Sequence, residues 1–249
     1  MDQPVIIVTG ASRGVGRATV EALHELGAAT VAVARTADPL ARLSERFDDC
    51  LAIPADLASE ADRERIVERT LHRFGTVHGI VHNAAALEPL GPIGAVTADE
   101  WTAALTVNLI APSHLTNALL EPLRRNHGRV VNVSSGAALS PIEGAGVYSA
   151  TKAALKMWTE SMAAEEPDLT TVALRPGVVD TAMQETIRST GQGRLPDDWY
   201  QRFIGYHEDG RLLSPDLPGR AAALLVLRAP KELSGEHLSW DDERVQALG

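Results

Sequence analysis

Short apolar runs alternate with longer amphipathic stretches along most of the chain. Six of the short runs are apolar on both faces, which is typical of strands buried in a parallel sheet. They lie at 5–9, 30–34, 50–54, 78–82, 129–134 and 171–175. Apolar residues recur at helical spacing in 14–26, 38–47, 59–73, 99–123 and 146–165. The alternation predicts βαβ units with right-handed crossovers, and hence an α/β fold with a doubly wound parallel sheet and helices on both faces.

One segment, 181–216, departs from this alternation. It is polar and rich in turn residues, yet it holds four of the chain's ten aromatic side chains within eight positions. Trp199, Phe203 and Tyr206 lie near helical spacing and would form an apolar stripe. The stripe is either a lid over a hydrophobic pocket or the packing face of a short surface helix. No Gly- or Ser-rich linker divides the chain, so the sequence predicts one domain over 1–249.

Composition excludes several classes of partner. The 249 residues carry a formal net charge of −10 and no basic stripe, so nucleic acid and anionic membranes are not expected to bind. The single cysteine, Cys50, cannot form an internal disulfide, which suits a reducing compartment. The N-terminal apolar run is too short for a signal peptide, and the run 221–227 is too short to span a bilayer. We therefore expect a cytoplasmic protein, and we assign no metal ligands.

A glycine-rich turn, TGASRGVG at 9–16, follows the first predicted strand and opens the first predicted helix. Gly10 would allow a sharp turn, Gly14 would remove bulk where a phosphate approaches the backbone, and Gly16 would let the helix pack closely on the sheet. The N–H groups at the start of the helix are then available to an anionic phosphate. A tight turn without a ligand is the alternative, but the position in the first βα unit favours a dinucleotide cofactor.

The end of the second strand distinguishes the two forms of a nicotinamide cofactor. NAD sites usually place a carboxylate there, whereas this chain has Ala34-Arg35-Thr36. Arg35 offers a planar set of donors to a 2′-phosphate, and Arg13 in the glycine turn is a second cation. The nearest acid, Asp38, is predicted to cap the following helix. The two arginines predict NADP(H) rather than NAD(H), unless both side chains are merely at the surface.

Tyr148 and Lys152 lie four residues apart in the helical stretch 146–165, and therefore on one face of it. A free tyrosine has a pKa of about 10, which makes it a poor proton donor or acceptor near neutrality. A nearby ammonium stabilises the phenolate and lowers that pKa, and general acid catalysis works best when the pKa approaches the operating pH. The alternative is an ordinary helix surface. The pair does chemistry only beside a cofactor, which the glycine turn predicts independently.

The glycine turn Thr9-Gly10-x-x-x-Gly14-x-Gly16, taken together with Tyr148-x-x-x-Lys152, resembles the short-chain dehydrogenase/reductase family over nearly the whole chain. The resemblance implies a single-domain Rossmann-type fold. It also implies a dinucleotide-binding half at about 1–135, a catalytic and substrate part at about 135–249, and a substrate lid at about 181–213. In this family the helices that correspond to 99–123 and 146–165 form dimer and tetramer contacts, so a homodimer or homotetramer is expected.

Further roles follow from this resemblance. Ser135, thirteen residues before Tyr148, would bind the substrate carbonyl oxygen, with Ser134 as the adjacent competitor. Asn108 would anchor a water that relays protons to Lys152, although a hydrogen-bonded core amide is a serious alternative. The implied cofactor contacts are Gly10, Ser12, Arg13, Gly14, Val15, Gly16, Arg35, Asp56, Leu57, Asn83, Tyr148, Lys152, Val179 and Thr181. The expected substrate contacts are Ser135, Tyr148, Met183, Trp199 and Phe203. His82, beside Asn83, is interpreted as a hydrogen-bonded strand-end histidine.

The segments 175–184 and 235–242, with Leu87-Glu88-Pro89, resemble the benzil-reductase and sepiapterin-reductase branch of the family. This implies an enzyme that uses NADPH to reduce one carbonyl of a vicinal diketone, with Tyr148 as the general acid. A sepiapterin-like reductase is one alternative. A 3-ketoacyl reductase is another, but it would want a basic patch for its carrier protein. An NADP-binding regulatory sensor without turnover would need the glycine turn but not Tyr148 and Lys152.

Overall fold

Within residues 3–249, which the computed structural model describes, seven parallel strands form one sheet in the order β3-β2-β1-β4-β5-β6-β7. The strands are β1 (Val5–Thr9), β2 (Ala29–Ala34), β3 (Cys50–Pro54), β4 (Gly79–His82), β5 (Arg129–Val133), β6 (Thr170–Arg175) and β7 (His237–Ser239). Every residue of β1 and β2 is buried, which explains why these strands are apolar on both faces. The strand order reverses between β1 and β4, where open parallel sheets form a crevice beyond their carboxyl ends.

Helices pack on both faces of the sheet. They are α1 (Gly14–Glu25), α2 (Ala37–Arg46), α3 (Glu60–Phe74), α4 (Ala98–Leu105), α5 (Ala111–Ala118), α6 (Leu120–Arg125), α7 (Gly146–Glu165), α8 (Ala182–Thr190), α9 (Asp197–Glu208), α10 (Asp216–Arg228) and α11 (Glu243–Gln246). Alternate residues of β1 serve the two cores. Ile6 packs in one cluster with α1 and α10, and Ile7 packs in the other with α3 and α5. The predicted doubly wound fold with one domain is confirmed.

The predicted helix 99–123 is not continuous. After α4 comes a π-helical turn, Thr106–Ile110, and the chain then continues as α5 and α6 with a break at Leu119. Pro112 explains the change of register, because it has no N–H to donate to the carbonyl of Asn108 four residues earlier. The prediction of one long helix here is wrong, since its apolar spacing does not reveal where a backbone hydrogen bond is missing.

Two elements, β7 and α10, show no clear periodicity of apolar residues in the sequence. The strand β7 has only three residues, of which only Leu238 is buried. In α10, all residues from Ala221 to Val226 are buried, so the helix shows a continuous apolar run instead of an amphipathic pattern. It also lies very close to α1: a Cβ added to Gly219 would come within 2.6 Å of the Cβ of Ala18. The apolar pattern of the sequence therefore predicts neither element. β7 completes the sheet, and α10 covers one of its faces.

The starts of α3 and α2 are capped differently. Ser59 caps α3 by accepting a hydrogen bond from the backbone N–H of Asp62, at 3.3 Å. Asp38 is not the cap of α2, because that helix begins at Ala37 with Thr36 in the cap position. Asp38 lies instead in the first turn, where a carboxylate is favoured by the helix dipole. None of the helices within residues 3–249 combines the length and apolarity needed to cross a membrane.

Candidate active site

A cleft of about 1170 Å³ opens beyond the carboxyl ends of the strands. Residues that directly follow β1, β2, β4, β5 and β6 line it, as the reversal of strand order predicts. All the predicted cofactor contacts except Gly16 line this cleft, and so do all the predicted substrate contacts. Asn108 does not line it. Positions separated by more than a hundred residues are thus brought to one site by the sheet.

The glycine turn has the geometry that its sequence predicts. Gly10 and Gly14 have φ values of +68° and +54°, which side chains other than glycine rarely adopt. Gly16 faces inward: a Cβ there would lie 2.3 Å from the carbonyl oxygen of Gly10 and 2.4 Å from the Nδ2 atom of Asn83. The same Asn83 amide donates to the carbonyl of Thr9 at 2.9 Å. Gly16 therefore allows α1 to pack against the turn rather than contacting the cleft.

Two unpaired cations line the cleft. Arg13 lies in the glycine turn directly before α1, and Arg35 directly follows β2. Among residues 3–249, neither side chain forms an ion pair or a hydrogen bond. Asp38 does not line the cleft, so it does not compete for this position. Two guanidinium groups with unused donors fit a phosphate group, because their planar forks match its oxygens.

Tyr148 and Lys152 are both buried on the inner face of α7. Burial raises the pKa of the Tyr148 phenol, and its side-chain interaction with Ser135 lowers it in part. Burial lowers the pKa of Lys152 to about 8. The ammonium donates to the carbonyl of Val133 at 2.7 Å and lies 5.7 Å from the centroid of the Tyr148 ring. In the protein by itself, desolvation therefore outweighs the neighbouring groups, and the lowering expected beside a cofactor stays a prediction.

The two adjacent serines differ in their surroundings. The Ser135 hydroxyl accepts from the backbone N–H of Ala137 at 3.1 Å and interacts with Tyr148. The Ser134 hydroxyl is buried and has no hydrogen-bond partner among the described residues. Both residues line the cleft, since β5 ends just before them. Only Ser135 is coupled to the phenol, in agreement with the spacing argument that prefers it.

Asn108 is a core amide whose side chain makes three hydrogen bonds. Its Oδ1 accepts from the N–H of Ala86 at 2.7 Å, and its Nδ2 donates to the carbonyl of Ala86 at 2.8 Å and to the hydroxyl of Thr151 at 2.9 Å. Both amide hydrogens are thereby engaged, which leaves no side-chain donor for a water. The structure thus shows the hydrogen-bonded amide that the sequence leaves open as the alternative. At Asn108 a water could donate to the second lone pair of Oδ1 or to the backbone carbonyl, to which Pro112 has no N–H to donate.

His82 is buried at the end of β4 and does not line the cleft. Its Nε2 shares a hydrogen bond with the hydroxyl of Thr116 at 2.9 Å. Burial lowers the pKa of His82 to about 3, so the ring is neutral near neutrality. Its interpretation as a hydrogen-bonded strand-end residue is confirmed. Among the residues that the structure describes, no group of three or more His, Cys, Asp or Glu side chains is placed to hold a metal ion.

Part of the cleft lining is an apolar wall. Tyr148 belongs to a hydrophobic cluster with Leu87, Ile187 and Phe203, against which Trp199 packs. The rings of Trp199 and Phe203 stack with their centroids 6.2 Å apart. The aromatic stripe of α9 is thus a packing face and a cleft wall at once. Sequence reasoning did not single out two polar lining residues, Gln184 and Arg202, although Arg202 shares the helix face of Trp199 at a spacing of three.

The sequence family described as short chain dehydrogenase matches residues 4–192. The chain therefore belongs to the short-chain dehydrogenase family and is an oxidoreductase of that family. The resemblance carried by the glycine turn and by Tyr148 and Lys152 is confirmed.

Its relatives include a benzil reductase ((S)-benzoin forming) of Saccharomyces cerevisiae, 35% identical over 97% of this chain and 97% of that protein. The structure of the KRED1-Pglu enzyme has a TM-score of 0.92 and 36% identity, and covers 95% of this chain and 100% of that one. The 3-ketoacyl-(acyl-carrier-protein) reductase from Brucella melitensis, solved with NADH, has a TM-score of 0.84 and 28% identity over 97% of this chain and 98% of its own.

Proposed function

We propose that this protein is an NADPH-dependent carbonyl reductase that transfers hydride to a ketone, namely to one carbonyl of a vicinal diketone. One observation carries the proposal. A buried phenol, a buried lysine and a hydroxyl that interacts with the phenol line the same cleft as two unpaired arginines. The relation to a benzil reductase supports the diketone, because benzil is an aromatic vicinal diketone and this cleft has an aromatic wall.

A nicotinamide cofactor fits the residues of the cleft. Unused donors on Arg13 and Arg35 suit a 2′-phosphate, which favours NADPH, although a related reductase was solved with NADH. The residues that would hold the remainder of the cofactor are Gly10, Ser12, Gly14, Val15, Asp56, Leu57, Asn83, Val179 and Thr181, with Lys152 on the nicotinamide ribose. When bound, NADPH supplies the hydride that the reduction requires.

Tyr148 would donate its phenolic proton to the carbonyl oxygen of the substrate. Burial raises its pKa, so the phenol holds that proton at neutral pH; the charge of Lys152 or of the oxidised nicotinamide would lower the pKa and make the phenol a better acid. Ser135 would donate a hydrogen bond to the same oxygen and stabilise the charge that develops on it. Lys152, with a pKa of about 8, can release and regain a proton near neutrality. It would return a proton to the phenolate of Tyr148 through a water. This water would be held by the backbone carbonyl of Asn108, to which Pro112 has no N–H to donate.

The segment 181–213 would act as the substrate lid, and the part from about 135 onward as the catalytic half. The stacked rings of Trp199 and Phe203 support this role, because they cover Tyr148 from α9. A homodimer or homotetramer would use the outer faces of the π-helical turn and α7. There, Ile110 and Met157 are 45% and 59% exposed, which is high for large apolar side chains. Light scattering of the purified protein measures the assembly size directly.

The test mixes the protein with benzil and either NADPH or NADH, and follows the loss of nicotinamide absorbance. We expect fast loss with NADPH, slow loss with NADH, and a Tyr148→Phe variant that binds NADPH normally but turns over at least about a hundredfold more slowly. Tyr200→Phe is the matched control, because the Tyr200 hydroxyl donates to the carbonyl of Arg188 and does not line the cleft.

Other outcomes decide between the alternatives. Full turnover by Tyr148→Phe would refute the mechanism. Reduction of an acetoacetyl ester but not of benzil would favour the 3-ketoacyl reductase, for which one related structure is an example. Tight NADPH binding without turnover of a broad carbonyl panel would favour the regulatory sensor.

A further inference from the structure

An unpaired arginine lies on the aromatic wall of the cleft. Arg202 of α9 lines the cleft together with Trp199 and Tyr206, which are three residues before it and four after it. Its guanidinium carbon lies 5.2 Å from the centroid of the Trp199 ring and 5.9 Å from that of Tyr206. Two rings on the same helix face thus hold the cation against the wall, at distances where the attraction between a cation and a ring is effective.

Arg202 does not form the ion pair that its position on the helix would allow. Asp198 lies four residues earlier, at the spacing at which opposite charges meet on a helix surface. Among residues 3–249, no carboxylate lies within ion-pair distance of Arg202 and its donors make no hydrogen bond. Glu88, a carboxylate of the same cleft lining, is not paired with it either. The cation is directed toward the cleft wall and not toward the acids of its own helix.

A guanidinium that makes no hydrogen bond keeps all its N–H donors free, and their planar arrangement matches the two oxygens of a carboxylate. Beside it, the rings of Trp199 and Phe203 and the apolar side chain of Ile187 suit an aromatic ring. We propose that Arg202 recognises a carboxylate on the substrate, so that the preferred substrate is an aromatic ketone with an anionic group on the ring remote from the reacting carbonyl. This inference rests on the proposed reductase function and specifies its substrate class.

The test compares benzil with benzil-4-carboxylate, which differ only by the anionic group. For the unaltered protein with NADPH we expect kcat/KM for the carboxylate to exceed that for benzil by about tenfold, a moderate value because the cation is partly hydrated. Arg202→Gln should abolish this preference, so that kcat/KM for the carboxylate falls to about the value for benzil in the same variant. Arg202→Lys should retain part of it, since the charge remains but the planar fork is lost. High salt should also reduce the preference.

Arg211→Gln is the matched control. Arg211 also lies over the ring of Tyr206, at 4.6 Å, but it is paired with Asp209 and does not line the cleft. This variant should keep the full preference for the carboxylate. An equal kcat/KM for the two compounds in the unaltered protein, or a preference that survives Arg202→Gln, would overturn the inference.

Failure of the inference can be distinguished from failure of the proposed function. If neither compound is turned over, the diketone reductase proposal fails, and calorimetry of both compounds with the protein saturated with NADP⁺ still tests Arg202. Tighter binding of the carboxylate that is lost in Arg202→Gln would support the anion site. Equal dissociation constants for the two compounds, or no binding of either, would refute it.

Discussion

The side-chain amide of Asn108 donates a hydrogen bond to the hydroxyl of Thr151 at 2.9 Å, and this hydroxyl donates to the carbonyl of Tyr148 at 2.8 Å. The same amide holds the N–H and the carbonyl of Ala86 in the loop after β4. A residue outside the cleft therefore connects the π-helical turn, a cleft loop and the helix that carries Tyr148 and Lys152. Its contribution is to position other groups.

Asn108→Ala should lower the free energy of unfolding by about 2–4 kcal/mol, because the partly buried N–H and carbonyl of Ala86 and the buried hydroxyl of Thr151 lose this partner. Turnover should fall as well, since the loop and α7 lose their connection. Urea unfolding and kcat measure the two effects. Asn117→Ala is the control, because Asn117 is exposed on α5. Equal losses of stability in both variants would show that the Asn108 contacts contribute little.

The two serines after β5 should respond differently to removal of the hydroxyl. Ser135→Ala should lower kcat by on the order of a hundredfold, because the developing oxyanion loses a donor. Ser134→Ala should change the free energy of unfolding by less than about 0.5 kcal/mol or raise it, since its buried hydroxyl has no partner. Steady-state kinetics and urea unfolding of both variants provide the comparison. A large loss of kcat in Ser134→Ala alone would reverse the assignment of the two residues.

Arg35→Ala should weaken NADPH binding by about tenfold or more, because a charge-assisted contact to the 2′-phosphate is lost. NADH has no such phosphate, so its dissociation constant should stay the same. Fluorescence titration with both cofactors measures the change. The same replacement at Arg42, exposed on α2 and outside the cleft lining, should affect neither cofactor. A parallel loss for NADPH and NADH would mean that Arg35 does not read the phosphate.

His82 should contribute to acid unfolding. Burial lowers its pKa from 6.5 to about 3, so between these values the unfolded chain binds a proton that the folded chain does not. The free energy of unfolding should therefore fall as the pH falls through this window, by at most about 1.4 kcal/mol per pH unit for this one group.

Urea unfolding at a series of pH values from about 7 to about 4 measures this slope. His82→Gln should show a shallower decline, because glutamine does not titrate, whatever its stability near neutrality. The same replacement at His72, exposed on α3, should leave the slope unchanged. An unaltered slope in His82→Gln would show that the ring is not kept neutral by burial.

Features that depend on neighbouring residues along the chain could be predicted from the sequence. The alternation of apolar runs and amphipathic stretches is a local property, and it predicts β1 to β6 and the doubly wound sheet, but not β7. Gly10 and Gly14 are required where they stand because the backbone there has positive φ, which only the absence of a Cβ makes easy. The spacing of Tyr148 and Lys152 places both on one helix face by helical geometry alone.

Only the tertiary structure decides what each side chain meets. The partners of Asn108 lie 22 and 43 residues away in sequence, so no periodic pattern contains them. Whether Arg202 pairs with Asp198 or lies over two rings likewise depends on how α9 packs against the cleft. In the protein by itself the pKa of Tyr148 is raised although Lys152 lies one turn away, because desolvation is the combined effect of all segments that surround the phenol. Local geometry thus set the positions of the reacting groups, and the packing of distant segments set their electrostatics.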